Sequence, residues 1–261
     1  MAVKADVGFT GTGGIATALA KGFCASPEFE GRIFVFDIDR RRTEALSEAY
    51  PEKVVVAASN QELIESADVV FPTLVPQVLE KVAPTLRFRK ENHIIHIAAG
   101  TKLSKAAPWF APACSVVRAV PLPFAAKRIG PVVLFGCDRL CEELLSLLGS
   151  VIKVAAEKDL EVLAAVTGLM VPYYGLVNEI TEWCMSKGLD YRSAVDYTCY
   201  MNEALSTLMR QECGEGRAEA FMTDNATPGG MNELAWKIMR ERGAYQPWSE
   251  SLEKIGKYYG L

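Results

Sequence analysis

A glycine-rich turn between a predicted strand and a predicted helix restricts the fold of this chain more than any other feature. Residues 7–23 read VGFTGTGGIATALAKGF, and Gly11 to Ala16 fit the pattern G-x-G-x-x-G/A. In such a turn the first glycine allows the tight bend, the second lets the backbone approach a pyrophosphate, and the alanine lets helix and strand pack closely. The predicted cofactor-binding residues of this loop are Gly11, Thr12, Gly13, Gly14 and Ile15.

An acidic residue ends the next predicted strand. Asp37 lies 24 residues after Gly13, close to the spacing of about 20 expected for the acid that binds the adenosine ribose. Its carboxylate would accept the ribose hydroxyls and repel a 2′-phosphate, which favours NAD. Arginines follow at positions 40–42, and a guanidinium such as that of Arg40 could hold the 2′-phosphate of NADP. We therefore expect NAD or NADP as cofactor, with NAD favoured.

Strand and helix patterns alternate along the first part of the chain and then give way to helices alone. The predicted strands cover residues 3–9, 32–36, 54–56, 69–71, 94–98, 115–120 and 151–154. Alternation of this kind indicates a parallel sheet with helices on both faces. The predicted helical segments beyond it cover residues 157–186, 190–212, 228–241 and 247–258. We predict an α/β Rossmann-type domain over residues 1–155 and an all-α domain over residues 156–261.

Composition excludes several other classes of protein. The chain has 261 residues and a net charge of −4, and it has no basic run, so nucleic acid and anionic membranes are not expected partners. Its seven cysteines include no C-x-x-C pair and it has only two histidines, so we expect no metal site and free thiols in a reducing cytoplasm. The uncharged run 162–177 is short for a membrane span and contains Pro172. We expect a cytoplasmic protein that acts on a small molecule.

The glycine loop resembles the opening of the pyrroline-5-carboxylate reductases, commonly IGFIGAGNMAEALIKGL. The resemblance continues, in the same order, through DVVF at 68–71, Pro76-Gln77, IAAG at 97–100, VVR at 116–118 and TPGG at 227–230. It implies a Rossmann domain followed by an all-α dimerisation domain, assembled as a homodimer or higher homo-oligomer. The implied reaction is hydride transfer from NAD(P)H to the imine carbon of 1-pyrroline-5-carboxylate, which gives proline.

The resemblance also implies further site residues. Its additional cofactor-binding positions are Thr73, Pro76, Ala98 and Gly100. A T-P-G-G turn at the start of a helix could hold a substrate carboxylate with its N–H groups. The substrate-binding positions are Leu122, Pro228, Gly229, Gly230 and Met231. The catalytic candidates are Asn232, which falls where the family has an imine-binding threonine, together with Tyr173 and Thr227.

Several departures from the family pattern fall in the expected substrate pocket. Val75 replaces a lysine, Leu122 replaces an asparagine, and apolar Met170-Val171 replaces small and polar residues. Each would leave a polar group of proline-forming chemistry unpaired, at a cost of roughly 1–3 kcal/mol. Three hypotheses follow: reduction of pyrroline-5-carboxylate, reduction of a more apolar imine or ketone, and nucleotide binding without turnover.

His96 is the only histidine inside a predicted core strand. Its place near the end of that strand could make it a proton donor beside the cofactor. Because side chains alternate along a strand, a buried histidine that is part of the core is the other interpretation, and we favour it.

Overall fold

The computed structural model describes residues 2–214 and 216–261, and its central feature is one eight-stranded sheet. The strands are β1 (Val7–Phe9), β2 (Ile33–Val35), β3 (Val54–Val56), β4 (Val69–Phe71), β5 (His93–His96), β6 (Ser115–Val120), β7 (Pro131–Phe135) and β8 (Ser150–Val154). Their order across the sheet is β3-β2-β1-β4-β5-β6-β7-β8. Neighbouring strands from β3 to β6 are parallel, β6 and β7 are antiparallel, and β7 and β8 are parallel.

This order places the predicted cofactor residues at one edge of the sheet. The chain turns back after β3 to place β4 on the other side of β1, which creates the switch point of a doubly wound fold. The carboxyl ends of β1, β2, β4, β5 and β6 lie along the same edge because these strands are parallel. The loops that follow these strands therefore meet in the crevice where such folds bind dinucleotides.

Helices connect the strands and then form the rest of the chain. Those of the sheet region are α1 (Gly14–Ala25), α2 (Arg40–Ala49), α3 (Asn60–Ser66), α4 (Pro76–Val82), α5 (Leu103–Ala106) and α6 (Arg139–Ser146). The later ones are α7 (Glu157–Val166), α8 (Met170–Ser186), α9 (Tyr191–Glu212), α10 (Ala218–Asp224), α11 (Met231–Glu241) and α12 (Gln246–Gly256). The expectation of a Rossmann-type sheet followed by a helical region is confirmed.

The sheet has an apolar core on each face, as the alternation of side chains along its strands requires. In β4, Val69 and Phe71 pack into one core while Val70 between them packs into the other. The first core also contains Leu19 and Phe23 of α1, and the second contains Leu63 of α3. Every residue of β1, β2 and β4 is buried, which explains why these strands read as continuous apolar runs.

The structure corrects the sequence prediction at several elements. The first strand is shorter than predicted, since Val3 forms only an isolated bridge with Phe29. Strand β7 was not predicted, because it is antiparallel to β6 and only a short 3-10 helix, Pro123–Lys127, separates the two. Helix α10 was also not predicted, because it lies in a stretch with many glycines. Asp138 caps α6, since its carboxylate accepts a hydrogen bond from the Cys141 N–H.

The chain forms two compact units, one ending at Ala164 and one covering Ala165–Gly260. Their division falls inside α7, whose first turns carry Glu157 and Glu161, both bonded to Arg118 of β6. The proposed domain boundary between residues 155 and 156 stays a prediction. By length and composition alone, the helical run Glu157–Ser186 could cross a membrane. A core helix of a soluble protein passes the same test.

Candidate active site

The glycine loop is held between β1 and the end of β4. Gly11 has φ +154°, a backbone conformation open to glycine and rarely to other residues. The Thr73 hydroxyl after β4 donates a hydrogen bond to the Gly11 carbonyl oxygen at 2.8 Å. A Cβ at Gly11 would lie 3.2 Å from a Leu74 methyl carbon. The structure thus brings together Gly11 and Thr73, two of the predicted cofactor-binding residues.

The next two glycines face open space. Gly13 caps α1, and no heavy atom of the described residues lies within 4 Å of a Cβ built at Gly13 or Gly14. The first turn of α1 carries no acidic residue, so its N–H groups and helix dipole favour an anion. Ala16 is buried, as close packing of helix on sheet requires. Because glycine has no Cβ, space stays open beside the N–H groups at this turn. A pyrophosphate needs that space, so the loop fits a dinucleotide.

Asp37, the predicted ribose-binding acid, supports the glycine loop. Its Oδ2 accepts hydrogen bonds from the Thr12 N–H at 2.8 Å and the Thr12 hydroxyl at 3.1 Å, and its Oδ1 accepts one from the Asp39 N–H at 2.9 Å. Burial works against ionisation of Asp37, but these hydrogen bonds outweigh it and hold the pKa of the carboxyl below its usual range. Asp37 is therefore an anion at neutral pH.

The three arginines after β2 differ in what they contact. Arg41 forms two hydrogen bonds with Asp39, and Arg42 lies 3.9 Å from Asp37. Within the part of the chain that the structure describes, Arg40 has no ion-pair partner. Its side chain lines a cavity together with Asp37 and residues of the β3–α3 connection. Arg42 lines the neighbouring cavity beside Gly13 and Gly14, so two of the three arginines face the predicted cofactor region.

The remaining predicted residues of the sheet unit follow β4, β5 and β6. Pro76 is the first residue of α4. Ala98 is buried, and Gly100 has φ +70° with no atom of the described residues within 4 Å of a built Cβ. Leu122 lies half-buried at the start of the 3-10 helix after β6. All four thus lie along the sheet edge that carries the glycine loop.

His96 is a buried histidine of the core. Its side chain is 0% exposed, and Nε2 lies 3.0 Å from the Thr101 carbonyl oxygen. Burial lowers the pKa of His96 to about 4 from an ordinary value of 6.5. A neutral, enclosed imidazole is a poor proton donor at neutral pH, so the interpretation as a core residue is favoured.

The buried His96 makes stability depend on pH. Below pH 6.5 the unfolded chain binds a proton at this imidazole, while the folded chain resists protonation down to about pH 4. The free energy of unfolding is therefore expected to fall by about 3 kcal/mol between pH 7 and pH 4 through this residue alone. Urea unfolding of the wild type and His96→Gln across that range checks it. An identical pH dependence in the two proteins would contradict this assignment.

A buried ion network next to the same edge was missed by the sequence analysis. Arg118 of β6 is 2% exposed, and its guanidinium lies 2.6 Å from Glu157 Oε1 and 3.1 Å from Glu161 Oε1. Glu157 Oε1 also accepts a hydrogen bond from the Leu103 N–H at 2.6 Å. The sequence contains a signal for this network. An arginine lies inside an apolar strand, and two glutamates lie four residues apart at the start of α7. The network joins β6, α7 and the segment after Gly100.

The T-P-G-G turn of the helical unit forms the start of α11. Gly229 has φ +74°, Gly230 caps the helix, and the Gly230 N–H donates to the Thr227 carbonyl oxygen at 2.8 Å. The Gly229 N–H donates to Glu233 Oε2 at 2.7 Å. One N–H group that was predicted to bind a substrate carboxylate therefore already donates its hydrogen bond to the Glu233 carboxylate of the chain itself.

The other candidates of this unit are exposed. The Asn232 amide donates a weak hydrogen bond to the Asn225 carbonyl oxygen at 3.4 Å, and Met231 is 88% exposed. Tyr173 lies on α8 beside Tyr174, with ring centroids 6.3 Å apart. The predicted site residues therefore fall into two groups, one on each unit. Their union in a single active site stays a prediction.

The fold and the glycine cradle define the class of this protein as a Rossmann-type dinucleotide-binding protein with a helical C-terminal unit. Residues 6–100 match the family described as NADP oxidoreductase, coenzyme F420-dependent. The chain is 28% identical over 174 residues to human pyrroline-5-carboxylate reductase 2 and spans about half of its length, 54%. It is 26% identical over 247 residues to the pyrroline-5-carboxylate reductase of Pseudomonas aeruginosa, which covers 91% of this chain and 89% of that relative.

Solved structures give the same result for the fold. The Streptococcus pyogenes 1-pyrroline-5-carboxylate reductase has a TM-score of 0.82 at 20% identity, with all of both chains covered. The Plasmodium falciparum pyrroline carboxylate reductase, solved with NADP bound, has a TM-score of 0.83 at 14% identity. The match covers 100% of this chain and 99% of that one. An Aspergillus terreus reductive aminase in complex with NADPH has a TM-score of 0.59 at 16% identity, and the match covers 98% of this chain and 92% of that one. The resemblance seen in the sequence is confirmed: the chain is similar in sequence and in fold to pyrroline-5-carboxylate reductases.

Proposed function

We propose that this protein is an NAD(P)H-dependent reductase that transfers a hydride to the carbon of a cyclic imine. The first candidate substrate is 1-pyrroline-5-carboxylate, with proline as product. The observation that carries the proposal is the open cradle at Gly13 and Gly14, at the N-terminus of α1 and at the switch point of the sheet. The sequence similarity to pyrroline-5-carboxylate reductases supports the imine as the reacting group.

The chain's own residues bind and orient rather than perform acid–base chemistry. The bound nicotinamide supplies the hydride, and the ring nitrogen of the imine is protonated in solution. The N–H groups of α1 and the loop from Gly11 to Gly14 hold the pyrophosphate. The Asp37 anion accepts the ribose hydroxyls, which favours NADH, while Arg40 offers a contact for the phosphate of NADPH. Alignment of two reactants in this way contributes much of the rate of such a reaction.

A second candidate function is reduction of a more apolar imine or a ketone. Val75, in the position of the family's lysine, is 61% exposed directly after β4. Leu122, in the position of an asparagine, lies after β6 on the same edge. The Aspergillus reductive aminase was solved with ethyl-5-oxohexanoate, a keto ester, so a likeness to that protein is consistent with reduction of a ketone.

A homodimer formed through the helical unit is part of the proposal. Tyr197, Tyr200 and Leu205 of α9 are 70%, 69% and 56% exposed, and Trp183 of α8 is 63% exposed. So many large apolar side chains on two long helices favour cover by a second copy of the chain over contact with water. We place the assembled protein in the cytoplasm, without a membrane or nucleic-acid partner.

Steady-state oxidation of NADH and of NADPH with pyrroline-5-carboxylate, other cyclic imines and ketones tests the function. Loss of a hydrogen bond to a charged imine costs about 1.5–3 kcal/mol. We therefore expect Asn232→Ala to lower kcat/KM roughly 10- to 100-fold. Asn178→Ala is the matched control, because Asn178 is an exposed asparagine bonded only to Glu182 among the described residues.

Each outcome of this assay distinguishes the hypotheses. A higher kcat/KM for apolar imines or ketones than for pyrroline-5-carboxylate supports the second candidate. Bound nucleotide without turnover of any compound overturns the reductase proposal and leaves a nucleotide-binding protein. Full activity of Asn232→Ala removes Asn232 from the site.

A further inference from the structure

A second cluster of reactive side chains lies at the opposite edge of the sheet from the glycine loop. His93 is the first residue of β5, and Cys114 immediately precedes β6. His93 and Ser115 are register partners, so Cys114 lies one residue before the partner of His93. Asp138 caps α6 and Cys141 lies in its first turn. The amino ends of β5 and β6 and the start of α6 thus place these side chains together.

The cluster has the geometry of a coordination site. His93 Nδ1 lies 2.6 Å from Asp138 Oδ2, and the two atoms and Cys141 Sγ all lie within 4.8 Å of one another. Asp138 Oδ1 accepts the hydrogen bond from the Cys141 N–H at 3.0 Å, which fixes the carboxylate and the thiol relative to each other. Bond lengths of about 2.0–2.3 Å around a tetrahedral ion put neighbouring ligand atoms about 3.3–3.8 Å apart. Side-chain shifts of about an ångström therefore suffice.

Burial and charge distinguish this cluster from a surface group of acids. The Cys141 side chain is fully buried, that of Asp138 is 6% exposed, and that of His93 is 27% exposed. The cluster is therefore enclosed on the protein side and open at His93 and at the exposed Cys114. The Cys114 thiol donates a hydrogen bond to the Asn92 carbonyl oxygen at 3.2 Å. Cys114 therefore has to rotate its side chain for its Sγ to join the other three ligand atoms.

We propose that His93, Asp138 and Cys141 bind a Zn²⁺ ion, with the Cys114 thiolate as the fourth ligand. Thiolate, imidazole and carboxylate are the ligands that Zn²⁺ takes in proteins, and four of them close a tetrahedral structural site. Binding releases the protons of the two thiols. The hydrogen between His93 Nδ1 and Asp138 Oδ2 also leaves, the neutral imidazole keeps its hydrogen on Nε2, and the ion takes the place of that hydrogen between the two side chains. The ion fastens the amino ends of β5 and β6 to α6. The sequence predicted no metal because its four ligands are spread over 49 residues, positions 93–141, without a C-x-x-C pair.

Zinc titration of the chelator-treated full chain tests the site. We expect one Zn²⁺ per chain, a higher thermal midpoint with zinc, and a thiolate-to-metal charge-transfer absorption when Co²⁺ replaces Zn²⁺. Cys141→Ser and Asp138→Asn are each expected to lower zinc affinity more than about 10-fold, since even outer-shell changes cost 10- to 100-fold. Asn caps helices as well as Asp, so Asp138→Asn retains the start of α6 and separates metal binding from folding.

The matched control is Cys137→Ser, which changes an exposed cysteine four residues before Cys141. It is expected to leave zinc affinity unchanged, and Asp138→Asn is expected to bind nucleotide as the wild type does. Absence of stoichiometric zinc, a cobalt spectrum without the thiolate band, or equal affinity in Cys137→Ser and Asp138→Asn would overturn the proposal. The cluster would then be a hydrogen-bonded helix cap alone.

Discussion

Replacing Gly13 by alanine is expected to weaken binding of both NADH and NADPH about 100-fold without loss of stability. The backbone of Gly13, with φ −66° and ψ −178°, suits alanine, and no heavy atom of the described residues lies within 4 Å of the added Cβ. The new methyl group occupies the space through which a pyrophosphate approaches the N–H groups of α1. Loss of one hydrogen bond to a charged oxygen, at about 1.5–3 kcal/mol, corresponds to a factor of about 10 to 150. Isothermal titration with each nucleotide and urea unfolding measure the two effects separately.

The matched control for Gly13→Ala lies on the same helix. A Cβ at Gly22 would lie 2.2 Å from the Ala125 carbonyl oxygen and 2.7 Å from a Leu148 methyl carbon. Gly22→Ala is therefore expected to destabilise the fold by at least about 1–3 kcal/mol, in spite of the better helix propensity of alanine. Unchanged nucleotide affinity in Gly13→Ala would show that the cofactor does not bind at this loop.

The parts of the fold that sequence predicts well depend on local physical rules. Strands β3, β4 and β6 have the predicted bounds. A proline, Pro72 or Pro121, ends β4 and β6, and β3 is a run of three β-branched valines. The glycine loop was recognisable because Gly11 needs a backbone conformation that other residues rarely adopt. Strand β7 was not predicted from the sequence because the rules for parallel sheets expect a helix between strands. A short turn is enough to connect an antiparallel pair such as β6 and β7.

Site chemistry was harder to predict, because it depends on contacts between residues far apart in sequence. The ribose position of Asp37 follows from spacing, but its hydrogen bonds to Thr12 across 25 residues do not. The N–H groups of the T-P-G-G turn were predicted to be free for a ligand, and Glu233 bonds one of them. The group of His93, Cys114, Asp138 and Cys141 requires the topology before it can be seen at all.

Replacing Arg118 by methionine is expected to lower the free energy of unfolding by about 3–5 kcal/mol. The guanidinium is the positive partner of Glu157 and Glu161, whose side chains are 18% and 5% exposed. Removal of one partner from a buried ion network leaves the remaining charge without compensation. Urea unfolding, followed by fluorescence and by circular dichroism, measures the loss. Arg139→Met is the control, because Arg139 pairs with Glu143 at an exposed position and is expected to cost less than about 1 kcal/mol.

A double variant separates the charge effect from a loss of packing. If the uncompensated carboxylate causes the loss in Arg118→Met, then Arg118→Met combined with Glu161→Leu should recover a large part of the stability, since apolar replacement of a buried ion network is often neutral or stabilising. Glu157 keeps its hydrogen bond from the Leu103 N–H in both proteins, so the segment after Gly100 retains one anchor. Equal stability of the single and double variants would assign the loss to packing around β6. A loss in Arg118→Met no larger than in Arg139→Met would show that the network contributes little to the fold.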